Sequence, residues 1–272
     1  MARQGQTRGA RARNTVFSAL VYVFLYAPIA VIVLFSFNTS RRNIVFEGFT
    51  LEWYGVMMKN TQLIDSLVNT LIVASCSTLL SVIVGSLAAV GMYRYRFRGR
   101  SAIDALLYIP VVIPEVVLGI ALLSVFSFAN VPLGLVSMII AHATFSIPFV
   151  VFTVRARLSG FDASTEEAAM DLGANRLQVF RRITVPLIAP GIGAGAMLAF
   201  TLSIDDIIIS FFTTGATSMT FPLKVMEMVR SGVSPDVYAL STIIILVTFA
   251  VVVTTQAVRY RREKGQQGHT GG

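Results

Sequence analysis

The stretch GFDASTEEAAMDLGANRLQVFRRITVP, residues 160–186, is the one long polar segment in a chain that is otherwise mostly apolar. It reads as two short helices. Ser164 with Glu167 three residues on is a capping box, in which the two side chains satisfy backbone N–H groups at a helix start. Gly173 stands where a left-handed stop residue ends that helix. Asn175 with Gln178 starts a second helix by the same logic, and Pro186, lacking an N–H, is expected to end it. Glu166 and Glu167 in the first turn, and Arg181 and Arg182 near the end, complement the backbone dipoles. A helix–glycine turn–helix also suits DNA binding. Apolar runs of membrane length flank this one on both sides, which sets that reading aside.

Working outward, composition fixes the class. Hydrophobic residues make up 55% and charged residues 13%, too apolar for an ordinary soluble domain. A chain of 272 residues has room for several spanning helices, at about 20 residues each. The net charge of +8 does not point to nucleic acid. Its basic residues form short clusters beside apolar runs, as orientation signals do. Cys76 is alone in an apolar run, so no disulfide or metal framework is expected. His142 and His269 are too far apart in sequence to suggest a zinc site.

Six apolar runs are expected to span the membrane, at 16–37, 65–92, 102–126, 133–154, 187–209 and 238–258. They form one membrane domain over 15–260, between a disordered basic tail at 1–14 and a second tail at 261–272. A basic start before the first run suggests a signal peptide. The run is too long for one and no small-residue cleavage site follows, so it reads as a retained span. Trp53 and Tyr54 suit the membrane–water boundary. Pro190-Gly191-Ile192-Gly193-Ala194-Gly195 opens the fifth run with small residues that permit close helix contact. Ser234-Pro235-Asp236 is a helix-start pattern before the sixth. Seventeen Lys and Arg fall on the tails and on the second and fourth connections. Arg41, Arg42, Lys59, Lys224 and Arg230 complete the 22 on the other side. This asymmetry predicts an all-α membrane protein of six transmembrane helices with both termini cytoplasmic. Segments 38–64 and 210–236 then lie outside.

Glu167-Ala168-Ala169, Gly173, Ile183 and Pro186 also carry a family resemblance. Their spacing resembles the EAA signature of bacterial ABC-importer permeases: EAA, three residues, Gly, nine residues, Ile-x-Leu-Pro. Val185 replaces the usual Leu. The resemblance implies a type I ABC-importer permease fold, in which 160–186 is the cytoplasmic coupling segment that docks into a cleft of an ATPase subunit. The residues are compatible with that role. Ala168 and Ala169 leave no bulk against a partner, and Glu167 offers a charge or caps its own helix. The chain has no Gly-x-x-x-x-Gly-Lys-Ser/Thr loop, because none of Lys59, Lys224 and Lys264 precedes Ser or Thr. No cofactor is expected in this chain, and ATP with Mg is expected on a partner. No nucleophile–base–orienter set is evident, so the chain itself does not read as an enzyme.

Three acids interrupt the apolar runs. Glu115 lies mid-run, roughly 16 Å along the helix from Asp104 at 1.5 Å per residue. Asp205 and Asp206 lie toward the outer end of the fifth run. A charge at the bilayer centre costs about 2.5–3.5 kcal/mol. The expected spans contain no Lys or Arg, so these acids are protonated, or a second subunit or a passing cation neutralises them. Neighbours on a helix are about 100° apart, so one aspartate faces the pathway while the other bonds to backbone or a partner helix. Two blander readings stand beside this: the aspartates mark a helix end in the wet interface, and Glu115 is a protonated structural carboxyl. Pro114 is expected to kink its helix toward the same cavity. His142 reads as a hydrogen-bonded packing residue. The pathway reading has an organic cation meeting the aspartate pair first and Glu115 next, with spaced ammonium groups bridging more than one acid.

A narrower resemblance rests on Pro114-Glu115-Val116-Val117-Leu118-Gly119-Ile120, on Phe200-Thr201-Leu202-Ser203-Ile204-Asp205-Asp206, and on Pro222-Leu223-Lys224 followed by Gly232-Val233-Ser234-Pro235. These resemble the permease subunits of spermidine/putrescine importers over residues 16–262. That implies a bacterial inner-membrane complex: this chain, a second homologous permease, two ATPase subunits and a soluble substrate-binding protein received by the outer segments, all in membrane lipid. ATP closure would draw the coupling segments together and tip the spans between inward- and outward-open states. The alternatives are an importer permease for another cationic or amine-type molecule, and a self-contained ion-driven carrier or channel. No convincing internal repeat of the kind carriers often show is present.

Overall fold

The computed structural model describes residues 8–41, 45–160 and 164–267. Residues 161–163 of the polar stretch, and Arg3, Arg42 and His269, lie outside the described residues. The described chain is mainly helical, with one isolated antiparallel bridge between Asn38 and Phe49. It divides into two compact units, one holding the chain up to Ile64 and from Met228, the other Asp65–Glu227.

In the first unit, α1 (Arg8–Phe35) and α12 (Pro235–Gln267) pack together, and α2 (Glu52–Lys59) packs on α12. Both long helices run into segments expected as tails. Pro235 opens α12 at the expected place, where its fixed φ suits the first turn and no N–H is missed. The link after α1 is organised by Asn38, which is buried. Its Nδ2 donates to Val45 O at 2.8 Å, and its Oδ1 accepts from Glu47 N at 2.9 Å. Trp53 Nε1 donates to Asn38 O at 2.6 Å. Trp53 is therefore buried on this link.

The second unit holds α3 (Thr61–Arg94) over most of its length, α4 (Arg100–Val112), α5 (Glu115–Phe128), α6 (Leu135–Leu158), α7 (Ser164–Asp171), α8 (Arg176–Val179), α9 (Val185–Ile204) and α10 (Ile208–Thr213), with α11 (Phe221–Ser231) following. Its core is α6, buried along much of its length and packed most extensively against α9. The expected small-residue contact is found there. A Cβ on Gly195 would stand 2.5 Å from Thr153 Oγ1, and one on Gly191 3.1 Å from Thr153 O. Gly191 and Gly195 are four residues apart and so share the α6-facing side. Gly193, between them, meets nothing within 4 Å.

Among the described residues, four helical stretches are long and apolar enough to cross a membrane: Arg13–Phe35, Thr61–Arg94, Leu135–Leu158 and Arg176–Ile204. Three corrections to the sequence reading follow. The third expected span is a pair of helices, α4 and α5, bent by 116°, and counts as a fifth crossing only if the pair is one span. Ile113, before Pro114, is forced out of the helical region to φ −74°, ψ 137°, and Pro114 is extended as well. The 16 Å helical path from Asp104 to Glu115 is thereby lost. Second, Pro186 does not stop a helix. Residues Phe180–Thr184 form a π-turn, and the chain continues through it into α9, with Pro186 in the first turn. The wider turn keeps the proline ring clear of the preceding carbonyls. Third, the fifth span ends at Ile204, and α10 starts again after a break at Asp205–Ile207.

Candidate functional site

The two breaks in the second unit are where the acids collect. Pro114 leaves Glu115 as the first residue of α5, with Pro114 O accepting from Val117 N at 2.9 Å. α5 packs on α10 closely enough that a Cβ on Gly119 would stand 2.5 Å from Phe212 Cδ2. This packing brings Glu115 within electrostatic range of Asp206 and Asp205. All three candidate pathway acids thus share one neighbourhood, although they lie in different runs of the sequence.

The two aspartates have different surroundings. Asp205 is exposed and Asp206 Oδ2 accepts from Ser210 N at 2.7 Å, with Oδ1 accepting from Ile209 N at 3.3 Å. Asp206 is therefore the cap of α10, and its side chain is only 6% exposed. It also has a partner that is neither Lys nor Arg. His142, on α6 and 2% exposed, places Nε2 3.3 Å from Asp206 Oδ2 and 3.0 Å from Ser210 Oγ. His142 Nδ1 lies 2.7 Å from Ser203 Oγ, which in turn lies 3.2 Å from Ser77 Oγ on α3. Asp206 thus has a fixed partner within this chain, the imidazole of His142, although the expected spans hold no Lys or Arg. His142 is a buried packing residue, as expected, and one fastened to Asp206. The signal was present in the sequence: it is the histidine inside an apolar run, and serines flank the aspartates. Asp104 also has a partner, Arg155 Nη1 at 2.5 Å, just beyond the expected end of the fourth span.

The polar segment forms the second candidate site. α7 carries Glu167, Ala168 and Ala169 and has no buried residue. Gly173 follows at φ +88°, the left-handed region, and Ala174 N donates to Ala169 O at 3.0 Å. Asn175 and Gln178 form the expected reciprocal cap at 2.9 Å each way. α7 begins at Ser164, and residues 161–163, next to the expected Ser164–Glu167 capping box, lie outside the described residues. Ile183 lies in the π-turn, and Pro186 just beyond it is exposed. Apolar side chains stand out from the elbow: Leu172 is 89% exposed, and Leu177 and Met170 are exposed too. Beside them a cleft of about 220 Å³ is lined by Arg94, Tyr95, Glu166, Met170, Arg176 and Val179.

A helical membrane chain with an acid cluster at two helix breaks and an exposed polar elbow defines a membrane component of a transporter. The chain belongs to the family described as binding-protein-dependent transport system inner membrane component, whose model matches residues 81–263. It is 41% identical over 252 residues to the spermidine/putrescine transport system permease protein PotC of Escherichia coli strain K12, covering 93% of this chain and 96% of that one. It is 38% identical over 237 residues to the putrescine transport system permease protein PotI of the same strain, covering 85% and 84%. Among solved structures, a bacterial ABC transporter that imports the acidic polysaccharide alginate matches with a TM-score of 0.66 at 18% identity, over 94% of this chain and 98% of that one. The fold is that of a type I ABC-importer permease.

Proposed function

We propose that this chain is a permease subunit of an ATP-driven importer of polyamines, crossing the inner membrane six times with both termini in the cytoplasm. The observation that carries the cargo is the acid cluster: Glu115, Asp205 and Asp206 gather at the breaks of α5 and α10, in runs that contain no Lys or Arg. The fold does not set the charge of the cargo, since it matches a transporter of an acidic polysaccharide. The carboxylates therefore have to, and they favour a cation. A charge left uncompensated in the membrane interior is costly, so a cargo with spaced ammonium groups fits better than a single cation. The names of the 41% and 38% identical relatives support the same class.

Within the cluster, Asp205 and Glu115 face the cargo, while Asp206 is occupied by His142 and the start of α10. The elbow, through Glu167, Ala168, Ala169, Gly173, Ile183 and Pro186, receives the motion of an ATPase subunit that holds ATP and Mg. The working complex contains a second homologous permease, two such ATPases and a soluble binding protein.

The test is uptake by proteoliposomes holding the whole complex. Glu115→Gln and Asp205→Asn should each raise the KM for spermidine about tenfold, the equivalent of 1.4 kcal/mol, with the complex still assembled. Unchanged KM in both removes them from the path. Uptake that persists without the ATPases refutes the ATP-driven class and leaves an ion-driven carrier or a channel.

A further inference from the structure

The elbow is held in place by a contact that neither the EAA pattern nor the acid cluster accounts for. α7 buries no residue, so apolar packing does not fasten it. Glu166, beside the EAA run, turns inward instead. Its Oε1 accepts from Arg94 Nη2 at 2.5 Å, and Thr184 Oγ1 donates to the same oxygen. Arg94 Nη2 also donates to Thr184 Oγ1 at 2.8 Å, and its guanidinium carbon sits 5.9 Å from the centre of the Phe180 ring. Arg94 is the last residue of α3, and Thr184, 1% exposed, is the last residue of the π-turn that leads into α9. One guanidinium therefore ties together the end of α3, the elbow and the root of α9.

We propose that Arg94 is a positioning residue for energy coupling, a latch that makes α7 move as one body with α3 and α9. A solvent-exposed ion pair would contribute little. This one is mostly shielded, shared by a buried hydroxyl and stacked on a ring, arrangements in which arginine outperforms lysine. With the latch closed, a displacement of the elbow reaches α9, and through the Gly191 and Gly195 contacts it reaches α6, which carries His142, the partner of Asp206. With the latch open, α7 loses this tie to the end of α3 and the root of α9, while its contact with α8 remains. The inference rests on the proposed docking of an ATPase at the elbow.

The test uses the assembled complex in proteoliposomes, measuring cargo uptake and ATP hydrolysis in the same preparation. Arg94→Ala, Arg94→Lys, Glu166→Ala and the Arg94→Ala/Glu166→Ala double variant are compared. Allosteric couplings typically amount to about 5–150-fold, so ATP hydrolysed per molecule imported is expected to rise about fivefold or more in Arg94→Ala. Arg94→Lys should fall between wild type and Arg94→Ala. The double variant should be no worse than the worse single one, because the two side chains act as one contact. A stoichiometry that stays constant overturns the latch, whether or not both rates fall together, as do additive effects in the double variant. A separate arm keeps this distinct from failure of the docking reading. In a Cys76→Ser background, Leu172→Cys is cross-linked with a bifunctional maleimide to the ATPase. A cross-link alongside constant stoichiometry refutes the latch alone. Absence of a cross-link overturns the docking reading and the latch with it.

Discussion

Replacing His142 by alanine tests the buried end of the acid cluster most directly. The substitution deletes a side chain that is 2% exposed and holds three groups: Ser203 Oγ at 2.7 Å, Ser210 Oγ at 3.0 Å and Asp206 Oδ2 at 3.3 Å. A neutral hydrogen bond is worth about 0.5–1.5 kcal/mol net, and one to a charged group about 1.5–3 kcal/mol. Part of the loss is recovered. Ser203 keeps Ser77 as a partner at 3.2 Å, and Asp206 keeps the N–H groups of Ser210 and Ile209. The expected destabilisation is therefore about 3 kcal/mol, near the low end of what breaking a buried pair costs. Detergent-titrated unfolding of the purified transporter measures it, and a cycle with Asp206→Asn isolates the pair. The expected coupling energy is about 1–2 kcal/mol, well above the roughly 0.5 kcal/mol within which independent sites add. Additive effects in that cycle, or a loss below about 1 kcal/mol for His142→Ala, would show that the imidazole does not hold Asp206, and the assignment of Asp205 to the cargo would lose its basis.

Other outcomes follow from the packing and the breaks. Gly195→Val places a side chain where even a Cβ would stand 2.5 Å from Thr153 Oγ1 and 3.1 Å from Val150 Cα. Overpacking should cost about 1–3 kcal/mol, read as a lowered Tm, while Gly193→Ala, with open space around it, should leave Tm in place. Pro186→Ala removes the reason for the π-turn at Phe180–Thr184. If the turn relaxes to an α-helix, α9 rotates by about 100° relative to α8, one residue's worth, and uptake falls while the protein stays folded. Uptake equal to wild type would mean the π-turn has no role in coupling. A tag at the C-terminus should be protected from antibody in intact spheroplasts and reached only after the inner membrane is opened. Labelling from outside would reverse the orientation and put the elbow out of reach of an ATPase.

Much of this molecule was legible in its linear pattern because lipid makes structure local. A backbone in hydrocarbon must satisfy its own hydrogen bonds, so a long apolar run becomes a helix whatever its neighbours are. The same holds for short-range devices: the left-handed turn at Gly173, the Asn175–Gln178 cap, Pro235 at a helix start, and the small residues of 190–195. Each depends on atoms a few residues apart. Even the three candidate pathway acids were visible, since a carboxylate in an apolar run stands out by type alone.

The tertiary structure decided what depends on distant partners. Pro114 announced a kink, but the 116° bend and the resulting approach of Glu115 to the aspartates depend on α5 packing against α10. Pro186 had two outcomes open to it, a stop or a widened turn, and the continuation into α9, seated on α6, goes with the second. His142 lies 61 residues from Ser203, and Arg94 lies 72 from Glu166, so no local pattern links either pair. Such contacts exist only once helices have packed, because it is the close approach of α6 to α9, and of α7 to the end of α3, that brings their side chains within hydrogen-bonding distance.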